Sequence, residues 1–250
     1  MTKMSRSVLR FDGVDDVIDL GKKPEHKIPR DITMEAWIFP TRSSKWAGIL
    51  SRVYDTNDTE SGYCLALDGS GGIYAGLRIV GGPSQEFYYG SDANVLQNNV
   101  WQHVAATYDG KQLTIYVNGE RKRVASLSGN IDYEPDHYLT IGAYRDNDEN
   151  IVFPGKIAEV RLWNIARTPE QIRENKDFAL RGDELGLVGY WPLDEGNGAA
   201  AIDRSKTGHH GQISGATWER EEVGFGGPDE ERLQRERAEF ERLHCADCEK

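Results

Sequence analysis

Cysteine is scarce in this chain: Cys64, Cys245 and Cys248 are the only three in 250 residues. Three thiols so spaced make no disulfide framework. No apolar run approaches the roughly 20 residues that a membrane-spanning helix needs. The first ten residues carry basic side chains but lack the apolar segment of a secretory signal. The chain as it stands is therefore expected in the cytoplasm, unless it is a fragment or is exported by another route. Basic charge is in the minority, with 30 Lys and Arg against 41 Asp and Glu and a net charge of −11. An acidic surface repels phosphate backbones, which argues against nucleic acid as a partner. The one basic knot, Arg121-Lys122-Arg123, reads as a solvated strand exit. Phosphate loops, Ser-His-Asp motifs and paired-His metal motifs are missing too.

What is present is glycine, aromatic residues and short alternating runs, the composition of an all-β protein with many hairpins. Two short strands are predicted around a tight Asp12-Gly13 hairpin turn, at residues 8–13 and 17–21. In residues 32–39, Ile32, Met34, Ala36 and Ile38 share one face, and Thr33, Glu35, Trp37 and Phe39 share the other. Both faces end apolar, as in a strand deep inside a sandwich. The clearest hairpin joins residues 101–108 to 113–117 through Asp109-Gly110, and Asn118-Gly119 turns the chain again. Both central positions of a type I′ turn need positive φ, which Asn-Gly and Asp-Gly supply. Further strands are predicted at 139–142, at 157–163 (Ala158, Val160 and Leu162 inward, Glu159 and Arg161 outward), at 187–193 and at 211–218. Thr168-Pro169-Glu170-Gln171 is a capping box that opens a short helix near 169–175. Residues 224–228 read as a linker. Residues 229–250 read as a charged helix followed by a Cys-x-x-Cys tail, since acidic residues precede basic ones along 229–243.

Four ordered stretches resemble the laminin-G-like and pentraxin-like domains of the concanavalin A-like lectin/glucanase superfamily. They are Phe11-Asp12-Gly13-Val14-Asp15-Asp16-Val17-Ile18-Asp19-Leu20-Gly21; Thr33-Met34-Glu35-Ala36-Trp37-Ile38; Trp101-Gln102-His103-Val104-Ala105 with Tyr116-Val117-Asn118-Gly119; and residues 155–164. Together they span roughly residues 7–219. The resemblance implies a two-sheet antiparallel jelly-roll sandwich over residues 1–223, which often binds calcium and often binds sugars or proteins. Tyr190-Trp191-Pro192-Leu193-Asp194-Glu195-Gly196 with Asp203-Arg204-Ser205 resembles a strand pair that often opens such domains. Here it lies late, and it is expected to complete the sandwich as a permuted edge. The superfamily's glucanases carry a Glu-x-Asp-x-x-Glu stretch, whose paired carboxyls glycoside hydrolysis requires. This chain has none, and Glu35 and Glu159 stand on separate strands, so a non-catalytic binding module is expected.

Two loops are crowded with oxygen donors, residues 54–60 and 145–150. That density suits calcium, a hard cation that takes six to eight oxygens. It also suits plain turn geometry, which favours Asp and Asn. In pentraxin-like relatives the two corresponding loops lie side by side and hold calcium. The resemblance thus assigns calcium to Asp55, Asn57 and Asp58 with Asp146, Asn147 and Asp148. A second cation site is drawn at Asp12, Asp15 and Asp203, where an Asx-turn at each Asp is the alternative. Sugar binding needs a flat aromatic; Tyr54 and Tyr144 flank the acidic loops and Trp46 lies near them, whereas Trp37, Trp163 and Trp191 are expected in the core. Cys245 and Cys248 offer at most half of a four-ligand zinc site. The favoured reading is calcium-dependent glycan binding. The alternative is a protein-interaction or assembly module with a structural calcium, using a sheet face or a homodimer through the C-terminal helix.

Overall fold

The computed structural model describes residues 3–56, 59–82, 88–146 and 149–228. Their strands are β1 (Met4–Asp12), β2 (Val17–Asp19), β3 (Ile32–Pro40), β4 (Lys45–Thr56), β5 (Thr59–Asp68), β6 (Ile73–Leu77), β7 (Tyr88–Gly90), β8 (Gln102–Tyr108), β9 (Gln112–Val117), β10 (Glu120–Ser126), β11 (Thr140–Ile141), β12 (Ala143–Arg145), β13 (Asn150–Val152) and β14 (Pro154–Trp163). The helix α1 (Pro169–Asn175) follows, then β15 (Leu187–Trp191), β16 (Ala200–Ala201), β17 (Gly211–Ser214) and β18 (Thr217–Val223). Two large antiparallel sheets result. The first runs β10-β9-β8-β3-β14-β1-β18, with β15 also on β14; the second runs β16-β17-β2-β11-β4-β5-β6-β7. This is the all-β, two-sheet sandwich with one short helix that the alternating runs imply.

The strands bury one continuous core between the sheets, including Leu9, Phe11, Ile38, Leu50, Leu65, Val104, Ile115, Ile141, Ile157, Val160 and Trp191. The β8–β9 hairpin forms with Val104 opposite Val117 and Tyr108 opposite Leu113. Thr168 caps α1 by accepting from the Gln171 N–H, and Gln171 returns a side-chain bond to the Thr168 N–H. The late strands do complete the sandwich: β15 pairs with β14 and β17 with β2.

Three expectations differ in the folded chain. Residues 8–13 and 17–21 do not form a hairpin, because β1 pairs with β14 and β18 while β2 pairs with β11 and β17 in the other sheet. The Asp-Gly turn carries the chain across the sandwich instead. Ala158 points outward, against Trp37, Val8, Val223 and Phe225. Glu159 has φ of 54° in an irregularity between Ala158 and Arg161. One such bulge shifts the strict alternation by a residue, and Ile157 takes the inward place. Residues 224–228, read as a linker, carry Phe225 into the domain, where it is buried and stacks on Trp37 with ring centroids 4.3 Å apart. The 229–250 segment, with its expected helix and Cys245 and Cys248, lies outside the described residues.

The outer face of the first sheet is buried as well, and it is charged. Glu35 lies 2.9 Å from Arg167 and 3.2 Å from His103, and 4.0 Å from Arg161, with Glu35 and Arg161 wholly enclosed. Glu159 accepts from Arg6 at 2.7 Å, Arg161 at 3.1 Å and the Tyr190 hydroxyl at 2.8 Å. Burial works to raise the Glu35 pKa, but the bond from His103 and the charges of Arg167 and Arg161 outweigh it and hold the carboxyl well below its usual range. The two glutamates that stood apart in sequence are thus linked through Arg161. Both are inaccessible and committed to guanidinium partners, an arrangement that ties strands together rather than one that meets a substrate.

Candidate functional site

On the outer face of the second sheet, the β4–β5 hairpin sets Asp55 directly opposite Glu60. Like charges facing each other across an antiparallel pair are destabilising. A local conflict of this kind is characteristic of functional sites. A second hairpin, β12–β13, pairs Tyr144 with Ile151 and Arg145 with Asn150 and lies over β4. Gly48 permits the approach: a Cβ there would sit 2.0 Å from the Tyr144 backbone nitrogen. Tyr144 is thereby pressed into a strip with Val53, Cys64, Ala66 and Tyr74. Its hydroxyl donates to Asp55 Oδ2 at 3.0 Å.

The tip of the second hairpin is held by two bonds. The Asp146 N–H donates to the Glu149 carbonyl at 3.1 Å, and the Glu149 N–H donates to Asp146 Oδ1 at 2.8 Å. This turn carries Asp146, itself buried, and Glu149 to Asp55. One carboxylate oxygen from each of the three lies within 4.8 Å of the others. Trp46 adopts φ of 69° where the pairing of β4 with β5 is irregular between Lys45 and Gly48. Bulged, left-handed positions re-aim side chains near functional sites. The indole meets the Tyr74 ring edge-to-face at 5.2 Å, and Lys45 Nζ sits 4.9 Å from its centroid. Trp46, Asp55, Glu60, Glu149 and Ile151 line a pocket of about 250 Å³. Below it, burial pushes the Cys64 thiol well above its ordinary pKa, so it stays protonated and unreactive.

The structure sorts the sequence candidates. It brings together Asp55 and Asp146, one from each acidic loop, and it places Trp46 at the pocket. Asn57, Asp58, Asn147 and Asp148 lie outside the described residues. Tyr144, expected as a sugar platform, is 1% exposed and instead positions Asp55. Tyr54 does not line the pocket; its ring lies 6.1 Å from that of His137. Adjacent strand residues point to opposite faces, which separates Tyr54 from Asp55. Glu60, Glu149 and Ile151 were not singled out in sequence. Both glutamates sit in the acidic loops, but only the hairpin registers turn them toward the pocket.

The second candidate set divides. Asp203 accepts from the Tyr190 and Ser205 N–H groups through Oδ1 at 2.9 and 2.8 Å, and from the Thr207 hydroxyl and His209 N–H through Oδ2 at 2.9 and 2.8 Å. Four donors commit this carboxylate to ordering the segment after β15, and it does not join Asp12 and Asp15. The group that does form is Asp12, Asp15 and Asp16. Asp12 accepts from the Val14 N–H at 2.7 Å, an Asx-turn, and Asp16 accepts from the Asp12 N–H at 2.7 Å. Burial first, and then the neighbouring Asp12 and Asp15, raise the Asp16 pKa.

The two antiparallel sheets form a jelly-roll sandwich of the concanavalin A-like kind. A family model for laminin-G-like domains of the concanavalin A-like lectin/glucanase superfamily matches residues 12–173, and the chain belongs to that family. Among solved structures, a Bacteroides ovatus protein proposed to bind carbohydrate is similar at 26% identity and a TM-score of 0.66; the match covers 86% of this chain and 59% of that one. This chain thus spans only about three fifths of that relative's length. A carbohydrate-binding module of family 40 from a Ruminococcus gnavus sialidase, bound to α2,3-sialyllactose, aligns at 17% identity and a TM-score of 0.56, over 68% of this chain and 97% of that one. A pentraxin from Limulus polyphemus aligns at 16% identity and a TM-score of 0.50, over 67% and 80%. The last two share the fold. No curated protein sequence matches the chain at a significant level.

Proposed function

We propose that this domain is a non-catalytic glycan-binding module whose site is the Trp46 pocket, completed by a calcium ion held by Asp55, Asp146 and Glu149. The observation that carries the reading is the convergence of Asp55, Asp146 and Glu149, two of which line the pocket that Trp46 walls. The donor set fits the ion: all donors are oxygen, and the three carboxylates bring together at least three of the six to eight oxygens that calcium takes. Calcium at such a site would offset two of the three carboxylate charges and would take sugar hydroxyls as further ligands. The chain's own groups do the rest. The indole of Trp46 offers a flat apolar face to a pyranose ring. Glu60, outside the three-carboxylate group, accepts from hydroxyls. Tyr144 fixes the Asp55 carboxylate through its hydroxyl. The relation to the Bacteroides ovatus protein supports carbohydrate as the ligand class.

A glycan array run in calcium and again with chelator tests this. Binding in calcium that chelator removes, and that Trp46→Ala abolishes without loss of folding, is the expected result. An array blank under both conditions refutes the glycan reading. Binding indifferent to chelator refutes the calcium.

A further inference from the structure

We infer that the pocket takes the single terminal residue of a neutral glycan, and that Glu60 is the residue that turns carboxylated sugars away. This rests on the glycan-binding reading above and specifies its ligand.

Size carries the first half. A pocket of about 250 Å³ falls below the roughly 300–1,000 Å³ of sites for drug-sized ligands. It accommodates one pyranose ring, whereas an internal stretch of polysaccharide needs an open groove with several platforms. Trp46 is the one aromatic among the described residues that line it, and Ile151 adds apolar surface. Both suit a single ring.

Charge carries the second half. Three described lining residues are acidic and none is basic. With a divalent cation held among Asp55, Asp146 and Glu149, that group keeps one formal negative charge, and Glu60 adds a second. A sugar carboxylate entering the pocket therefore meets net negative charge even when the cation is present. Lys45, beside the pocket, holds its ammonium over the Trp46 ring and supplies one positive charge against these. Hydroxyls are suited to the site, because carboxylate oxygens accept from them. Glu60 is the distinguishing group: it lines the pocket without belonging to the cation-holding group, and its position is set by register opposite Asp55.

The test is calorimetric titration of the full chain in calcium with methyl glycosides of glucose, galactose and mannose. Each is set against its C6 carboxylate, and lactose against 3′-sialyllactose. At least one neutral glycoside is expected to bind at least tenfold tighter than its uronate. Adding a second neutral residue is expected to tighten binding less than threefold. Glu60→Gln is expected to bring neutral sugar and uronate within threefold of each other. A uronate or sialyllactose that binds as tightly as its neutral partner overturns the inference and leaves the glycan reading standing. A large gain from a second residue overturns the single-residue assignment. An undiminished preference for neutral sugar in Glu60→Gln overturns the role of Glu60. Failure of every sugar to bind, here and on the array, removes the glycan reading itself.

Discussion

Asp146→Asn separates the two things the acidic group does. Asn retains the oxygen that accepts the Glu149 N–H, so the hairpin tip keeps its shape while one charge is lost. Without a cation, the carboxylates of Asp55, Asp146 and Glu149 repel each other within 4.8 Å. At a water-like dielectric each pair costs about 1 kcal/mol, and the substitution removes two of the three pairs. The variant in chelator should therefore be about 2 kcal/mol more stable than the parent. For a domain of this size that is about 4–8 °C in Tm. In calcium at about 100 times Kd the parent should gain about 2.7 kcal/mol, or about 5–11 °C, while the variant gains little. The order of the two proteins should thus invert between chelator and calcium. Thermal unfolding followed by circular dichroism, with and without 5 mM calcium (about that excess for a Kd near 50 μM), reads both differences. A variant less stable than the parent in chelator would show that the carboxylates are not in conflict. A parent Tm that calcium does not move would refute the cation site.

Glu35→Ala should destabilise the domain by about 3–5 kcal/mol, because it takes from the buried Arg167 its carboxylate partner at 2.9 Å and leaves Arg161 with the Glu159 carboxylate alone; a loss below about 1 kcal/mol in urea unfolding would show that the network is dispensable. Glycan binding by the folded fraction should persist, since Glu35 faces the other side of the sandwich. Acid should weaken the fold from about pH 6.5 downward. Burial and, second, the Arg52 charge lower the His26 pKa from 6.5 to about 3, so the unfolded chain binds that proton more readily. The stability His26 contributes is whole above pH 6.5 and is lost as pH falls toward 3, at up to about 1.4 kcal/mol per unit. His103, lowered first by burial, adds to the same trend. His26→Phe should therefore flatten stability against pH between 6.5 and 4.5; equal slopes in both proteins would contradict the assignment.

Much of this was legible from residues alone. Periodicity and turn chemistry are local, so the β8–β9 hairpin, the Thr168 capping box and the inward run of β3 follow from nearest neighbours in the chain. Composition and motif order pointed to a two-sheet sandwich, and residue type singled out both acidic loops and Trp46. Pairing and register were decided only in the folded molecule. Which strand β1 accepts depends on contacts some 140–220 residues away, and no local pattern contains them. One bulge at Glu159 reversed Ala158, because a single extra residue shifts every side chain beyond it. The site shows the same division. Oxygen-rich loops announce themselves by composition, but the partners of Asp55 depend on two hairpin registers and on the close approach allowed by Gly48. Tyr144 reads as a surface platform in the sequence. It is a buried support in the structure, because the hairpin that carries it lies flat across β4.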